Sequence, residues 1–408
     1  MDSNTISIYT LTSALHDEQA VSCATQQFLS SLLIEYAYKG EDYSDYGKAT
    51  LNLIFVRTGG TEGIFKTLLP QLQRQSTHPI FLLTSGQSNS LAAAMEILSY
   101  LQQQGINGEI LHGTPRYIRH RIHGLLQVHL ALRRLSGMRL GVIGQPSDWL
   151  ISSQADARVV RQKLGIELVD IDIREVLDNF AVQPATISAS ALSPSTPPEP
   201  KVAAALPDAE RLHAALRGIV ERHHLSGITI RCFDLLATIH NTGCLALARL
   251  NADGVVAGCE GDVPAAISMM IAQALLGVTG FQCNPSAIDP DSGIITLAHC
   301  TIPFNLVTRY ELDTHYESGI GVGIRGYMAP GPVTIFKVSG DLTRHFVAQG
   351  QLIDKPCSPD LCRTQLTIRL DDTKQTRYFL THPIGNHHIV VPGEHAQLMC
   401  ELLTAISD

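Results

Sequence analysis

The sequence predicts an α/β protein with two parallel-sheet α/β domains followed by a mostly antiparallel, barrel-like β domain. Three observations predict it. A rhythm of apolar strand, polar turn and amphipathic helix runs through the first part of the chain and starts afresh near residue 138. After about residue 302 the texture changes to short strands separated by turns. The length, 408 residues, exceeds what one ordinary core supports. The expected domains are 1–137, 138–302 and 303–408.

In the first domain Asn52 to Val56 (NLIFV) reads as a buried strand, followed by the turn Arg57-Thr58-Gly59-Gly60-Thr61-Glu62-Gly63 and a helix to about Leu72. Ile80 to Thr84 is the next strand, Leu91 to Gln104 the next helix, and Gly108 to Leu111 a further strand. Met138 to Ile143 opens the second domain, with Gly144-Gln145-Pro146-Ser147-Asp148-Trp149 as its turn. Ala155 to Leu164 is helical, and Ile166 to Ile171 a strand. The stretch 183–201 is rich in Pro, Ser and Ala, a composition that cannot bury enough to order itself, and reads as a flexible loop. A helix from Asp208 to His223 resumes the domain. Gly227 to Cys232 and Gly254 to Gly258 are strands, Pro264 to Leu276 a helix, and Gly293 to Ala298 a final strand. In the last domain Gly321 to Arg325, Val333 to Val338, Gln365 to Leu370 and Ile389 to Val391 are short strands, and only the last residues are helical.

A net charge of −8 and the lack of a basic face argue against nucleic acid and anionic membrane as partners. The start, Met1 to Thr10, is polar and mixed and reads as no signal peptide; no apolar run of membrane-spanning length is present. Nine cysteines without paired spacing fit reduced thiols, so a cytoplasmic location is expected.

Ionisable residues gather where strands end. Asp234 follows GITIRCF, Glu260 and Asp262 follow GVVAGC, and His299 follows GIITLA; Gly385-Asn386-His387-His388 opens a late strand. Carboxyl ends of neighbouring strands in an open α/β sheet converge on one crevice. Carboxylates with imidazoles and no thiolates form a ligand set for Mn²⁺, Mg²⁺ or Co²⁺ with open positions for substrate oxygens. Each residue also has a plain structural use: Asp234 or Asp262 as a helix cap, His299 as a core histidine, Cys232, Cys259 and Cys300 as small packers. The turn at Thr58 offers backbone N–H groups to an anion or a sugar hydroxyl, or is simply a turn. Trp149 could pack beneath a helix, and His315, Glu317 and Arg363 could reach the same crevice or face solvent.

The runs CLALARLNADGVVAGCEGDVPAAISMM (244–270), ITLAHCTIP (295–303) and PIGNHHIVVPGEH (383–395) resemble the L-fucose isomerase and L-arabinose isomerase superfamily. The likeness extends upstream to RTGGTEGIF, LTSGQSNSLAAAMEIL and GVIGQPSDWLISS. It implies two Rossmann-like domains, a barrel-like third domain and assembly as homo-trimers or hexamers. It also implies a Mn²⁺-type ion that assists proton transfer between C1 and C2 of an open-chain pentose or 6-deoxyhexose. On that resemblance Glu260, Asp262 and Asp234 are the catalytic acids. The metal ligands are drawn from Glu260, Asp262, His387, His299 and Asp234, with Asp234 standing at the family's spacing upstream. His388, Asn386, Trp149, Thr58 and Arg363 are expected on the substrate. His387, directly after Gly-Asn, is preferred over His388 for the metal. A metal-dependent lyase or epimerase on a sugar derivative, and a sugar-binding protein without catalysis, are the alternative functions of such a site.

Overall fold

The computed structural model describes residues 6–76, 78–184 and 193–407. The chain divides into two compact units, residues 1–130 and 131–408.

In the first unit the elements are β1 (Ile6–Leu11), α1 (Glu18–Ser31), β2 (Ala37–Gly40), β3 (Leu51–Val56), α2 (Glu62–Gln75), β4 (Ile80–Leu83), α3 (Ser90–Gln103), β5 (Gly108–Leu111) and α4 (Pro115–Leu135). The sheet is parallel in the order β2-β1-β3-β4-β5. Its central strands β1, β3 and β4 are buried on both faces because helices cover both. Tyr9, Ile54 and Leu82 pack with Phe65, Leu69 and Ile97 of α2 and α3. Ile8, Leu53, Phe55 and Leu83 pack with Leu29 of α1 and with Ile118 and Ile122 of α4. The start of the chain corrects the sequence expectation: Ile6–Leu11, read as polar, is a buried strand hydrogen-bonded on both edges. Its Ser and Thr misled, because parallel ladders satisfy the backbone whatever the side chain.

The second unit opens with β6 (Arg139–Ile143), α5 (Ala157–Leu164), β7 (Glu167–Ile171), α6 (Ile173–Val182), α7 (Pro200–Arg222), β8 (Gly227–Ile230), α8 (Asp234–Ile239), α9 (Cys244–Ala252), β9 (Val256–Cys259) and α10 (Val263–Leu276). These build a parallel sheet in the order β7-β6-β8-β9. Helix α7 begins at Pro200, eight residues before the expected Asp208, and carries Pro207 inside it. Val202, Ala209, Leu212, Leu216 and Ile219 are buried along it, and that burial outweighs the hydrogen bond a mid-helix proline removes. The expected 183–201 loop falls partly outside the described residues, and its last two positions are helical.

The remainder of this unit comprises β10 (Phe281–Asp289), β11 (Ile294–His299), β12 (Arg309–Asp313), β13 (Gly323–Tyr327), β14 (Gly331–Val338), β15 (His345–Asp354), β16 (Thr364–Leu370), α11 (Thr376–Thr381), β17 (His388–Pro392) and α12 (Ala396–Ser407). Six of these strands close an antiparallel barrel in the order β10-β11-β16-β15-β14-β17, and β12 pairs with β13 alone. The fold class is therefore the one expected: parallel-sheet α/β domains followed by an antiparallel barrel. One strand sits elsewhere than expected. GIITLA, read as the last strand of the parallel sheet, is β11 of the barrel, antiparallel to β10 and β16. A short apolar run carries no record of its partner's direction; the hairpin with β10 decides it. Among the described residues no helix is long and apolar enough to cross a membrane.

Candidate metal centre

The site forms where the edge strand β9 meets the barrel. Gln282 of β10 joins the two: its Oε1 accepts from the Cys259 N–H at 2.8 Å, and its Nε2 donates to the Cys259 carbonyl at 3.3 Å. A side chain thus takes the place of the next strand beside Cys259. The chain then turns sharply. Glu260 sits at φ 65°, Gly261 at φ 70°, and a Cβ on Gly261 would lie 2.8 Å from the Gln145 carbonyl oxygen. A left-handed glutamate costs about 1–2 kcal/mol, and such strain concentrates at functional sites. The turn is held by Gly261 N–H donating to Ile230 O and Ser147 N–H donating to Glu260 O, both at 2.9 Å.

This turn aims the Glu260 carboxylate at two imidazoles from the barrel. Its Oε1 lies 3.8 Å from His299 Nε2 and 3.5 Å from His387 Nε2. Its Oε2 accepts from the Trp149 indole N–H at 2.6 Å. His299 ends β11 and His387 immediately precedes β17, the two strands that flank β10, so barrel closure brings the rings to a centroid separation of 5.5 Å. All three residues are buried, and one donor atom from each lies within 4.8 Å of the others.

The other ring nitrogens are engaged. His387 Nδ1–H donates to Asp262 Oδ2 at 2.8 Å, and His299 Nδ1 pairs with the Thr301 hydroxyl at 3.1 Å. Asp262 also caps α10, its Oδ1 accepting from the Ala265 N–H at 2.8 Å, and Lys337 Nζ approaches that oxygen at 3.5 Å. This leaves His387 Nε2 buried with no hydrogen-bond partner. An imidazole oriented by a carboxylate, with its free nitrogen aimed at a second carboxylate, is how metal-ligating histidines are held. The group Glu260, His299 and His387 fits a divalent cation.

The electrostatics agree. Burial would raise the Glu260 pKa, but the neighbouring imidazoles of His299 and His387 hold it well below the usual carboxylate range. Burial likewise opposes ionisation of Asp262, yet the Lys337 charge and His387 lower it to about 2. His387 is pulled down by burial and raised further by Asp262 and Glu260, reaching about 9. A cation at Nε2 would expel that proton and take over its role. Beside these residues lies a cavity of about 40 Å³ walled by Phe233, Thr242, Asn284, His315, Glu317 and Cys362. That is room for an ion and a water or two. Burial and the charge of His299 push His315 down to about 4, and its Nδ1 pairs with the Ser318 hydroxyl at 3.0 Å.

The other sequence candidates have separate places. Asp234 starts α8 and pairs with Arg231 Nε at 3.1 Å, while Arg231 also holds Asp148 at 2.8 Å. Asp234 is not among the residues lining the cavity. Asn386, exposed, donates to Asn284 Oδ1 at 3.0 Å and is not among the residues lining the cavity. His388 turns into the barrel: its Nδ1–H donates to Asn386 O and its Nε2 accepts from Tyr378, both at 2.9 Å. Arg363 is committed to the Thr314 carbonyl and to Asp313. Thr58 lies in the first unit, buried, its hydroxyl accepting from the Ser13 N–H at 3.0 Å. Trp149 is half exposed and meets Phe233 edge-on. Cys232 and Cys259 touch, Sγ to Sγ 3.0 Å, and burial raises the Cys244 thiol pKa; these sulfurs are packing groups. Sequence reading missed Lys337, Gln282 and Thr301. Of these only Lys337 left a signal, a lysine inside the apolar strand VTIFKV.

No family model matches the chain. It is similar to the sulfoquinovose isomerase of Clostridium sp. (strain MSTE9), 24% identical over 303 residues, which are 69% of this chain and 66% of that protein. It is also similar to the sulfoquinovose isomerase of Priestia aryabhattai, 23% identical over 337 residues, 77% of this chain and 73% of that protein. A third sulfoquinovose isomerase, from Alkalicoccus urumqiensis, is 22% identical over 286 residues.

Proposed function

We propose that this chain is a metal-dependent aldose–ketose isomerase of a sugar. The observation that carries the reading is the buried Glu260–His299–His387 group, with both imidazoles fixed from behind and His387 Nε2 left without a partner. Sugar isomerases among the relatives support it. Two imidazoles in three donors favour Mn²⁺ or Co²⁺ over Mg²⁺. A divalent ion held there supplies Lewis-acid polarisation to the substrate's oxygens.

The reaction itself moves two protons: one from C2 to C1, and one from the C2 hydroxyl to the C1 carbonyl oxygen, through an ene-diol. Glu260, ionised and fixed by Trp149, is the group we assign to the C2 proton. The second proton-transfer group is drawn from the cavity wall, where His315 is a neutral imidazole and Glu317 a carboxylate. Asp262 acts through His387 and through the α10 cap. The C1–C2 end of an open-chain sugar would face this cavity in place of its water, with the tail outside it.

For the tail there are two readings. The names of the relatives favour a sulfonated hexose. A neutral pentose or 6-deoxyhexose is the reading implied by the resemblance to the fucose and arabinose isomerases. The test is metal analysis of the purified protein followed by Mn²⁺-supported turnover of pentoses, 6-deoxyhexoses and 6-sulfonated hexoses. Bound metal and conversion of one class are expected. Glu260→Gln should lower turnover about 10²–10⁴-fold with the fold intact. Retained conversion in that variant would sink the assignment, and sugar binding without conversion by the wild type would leave a binding protein.

A further inference from the structure

A second cavity, of about 620 Å³, opens on the barrel away from the metal centre. Three segments line it: Thr343 to Phe346 at the start of β15, the stretch Asp372 to Tyr378 that enters α11, and His382 with Ile384 before β17. The lining holds Arg344, Lys374 and Arg377 together with His345 and His382, against one acid, Asp372. That acid accepts from the Lys374 backbone N–H at 3.0 Å. Among the described residues none of the Arg344, Lys374 and Arg377 side chains is paired with a carboxylate. Elsewhere in this unit most arginines are paired, Arg139, Arg211, Arg231, Arg249, Arg325 and Arg363 among them, although Arg161, Arg174 and Arg369 show no carboxylate partner among the described residues. Three unneutralised cations around one concave space, on a chain of net charge −8, focus positive potential there.

Two aromatic rings, Phe346 and Tyr378, stand in the cavity wall, each 7% exposed. Phe346 and Tyr378 stack at 3.8 Å with an interplanar angle of 5°, and His382 meets Tyr378 edge-on. The stack is locked in place: Tyr378 donates to His388 Nε2 at 2.9 Å and accepts from the Ile384 N–H at 2.8 Å. Guanidinium forks match the oxygens of a phosphate, and flat rings match the apolar face of a small cyclic body.

We infer that this cleft is a binding site for a phosphorylated small polyol or sugar, its anion held by Arg344, Arg377 and Lys374 and its carbon body against the Phe346–Tyr378 stack. The inference does not depend on the reaction proposed for the metal centre.

Calorimetric titration of the full chain at low ionic strength tests it, with inorganic phosphate, ribose 5-phosphate and uncharged ribose as probes. Saturable binding of ribose 5-phosphate is expected, weakened about tenfold or more in the Arg344→Gln/Arg377→Gln double variant. Both residues are exposed, so the variant should keep the wild-type melting temperature and metal content. Phosphate binding as tightly as ribose 5-phosphate, with the same loss in the variant, would keep the anion site and identify free phosphate as its ligand. Equal affinity in variant and wild type, or no saturable heat with either anion, overturns the proposal. So does a change in sedimentation coefficient in the variant without any anion binding, which would mean that carboxylates of a second copy fill the cleft.

Discussion

The strands β8 and β9 are hydrogen-bonded neighbours in one parallel sheet, and an acidic residue follows each, Asp234 after β8 and Glu260 after β9. After β8 the chain supplies its own cation: Arg231 pairs with Asp234 and with Asp148, and the group stays near solvent. After β9 no cation of the sheet is at hand. The barrel closes over the edge instead, Gln282 occupies the backbone beside Cys259, and His299 and His387 meet the buried carboxylate. A strand end offers a direction. Whether its acid becomes a ligand depends on which partner reaches it first and on how much water is left.

Four substitutions and conditions would sharpen or break this contrast. The largest effect is expected for His387→Ala, which removes one of the proposed ligands and leaves Asp262 buried beside Lys337. Breaking such a buried pair costs about 3–5 kcal/mol. Denaturant unfolding and metal analysis of the folded fraction should show lost stability and lost metal; metal retained at wild-type stoichiometry would break the site as drawn.

Asp262→Asn comes next. Asparagine caps a helix as well as aspartate does, so α10 should hold, but the orientation and basicity of His387 suffer. Metal affinity should fall about 10–100-fold, and the unfolding midpoint should fall too, because buried Lys337 loses its counter-charge. An unchanged affinity would reduce Asp262 to a cap.

A pH effect away from both strand ends comes third. Burial pushes His213 of α7 down to about 4, from 6.5. The unfolded chain therefore binds the proton more readily, so the neutral histidine's contribution is intact above about pH 6.5 and lost as pH falls toward 4. The stability difference between pH 7.5 and pH 5 should shrink in His213→Gln. An unshrunken difference would place the acid sensitivity elsewhere, the metal centre included.

Asp234→Asn should do least. It touches an exposed ion pair, a class worth about 0–1 kcal/mol, and metal affinity and turnover should stay within about threefold of wild type. A large loss of metal would return Asp234 to the ligand set and erase the contrast with Glu260.

Much of this was legible in the chain. The strands NLIFV and IFLLT, with their helices, give the parallel rhythm, since strands covered on both faces must be apolar throughout. Glu260-Gly261-Asp262 and His387 stand out because charged and titratable residues directly flank buried strands. Within Glu260-Gly261-Asp262 the sequence pointed to Asp262 as the helix cap, and the structure agrees; that Asp262 also holds His387 was not legible. One of these acids reaches His299 and His387, and the other caps α10 while holding His387 from behind. That split follows from a left-handed turn at Glu260.

By itself the sequence determined many of the strands and helices, β3, β4, β6 and α10 among them, and that acids and histidines lie at strand ends. Local periodicity and turn chemistry are short-range, and the chain states them directly. The tertiary structure alone decided that His299 arrives from an antiparallel barrel strand, that Asp234 is claimed by Arg231, and that Lys337 and Gln282 support the site. It also gathered Arg344, Lys374 and Arg377 around one cleft. Each of these depends on which strand edge pairs with which, a long-range choice fixed by barrel closure and core packing rather than by any window of neighbouring residues.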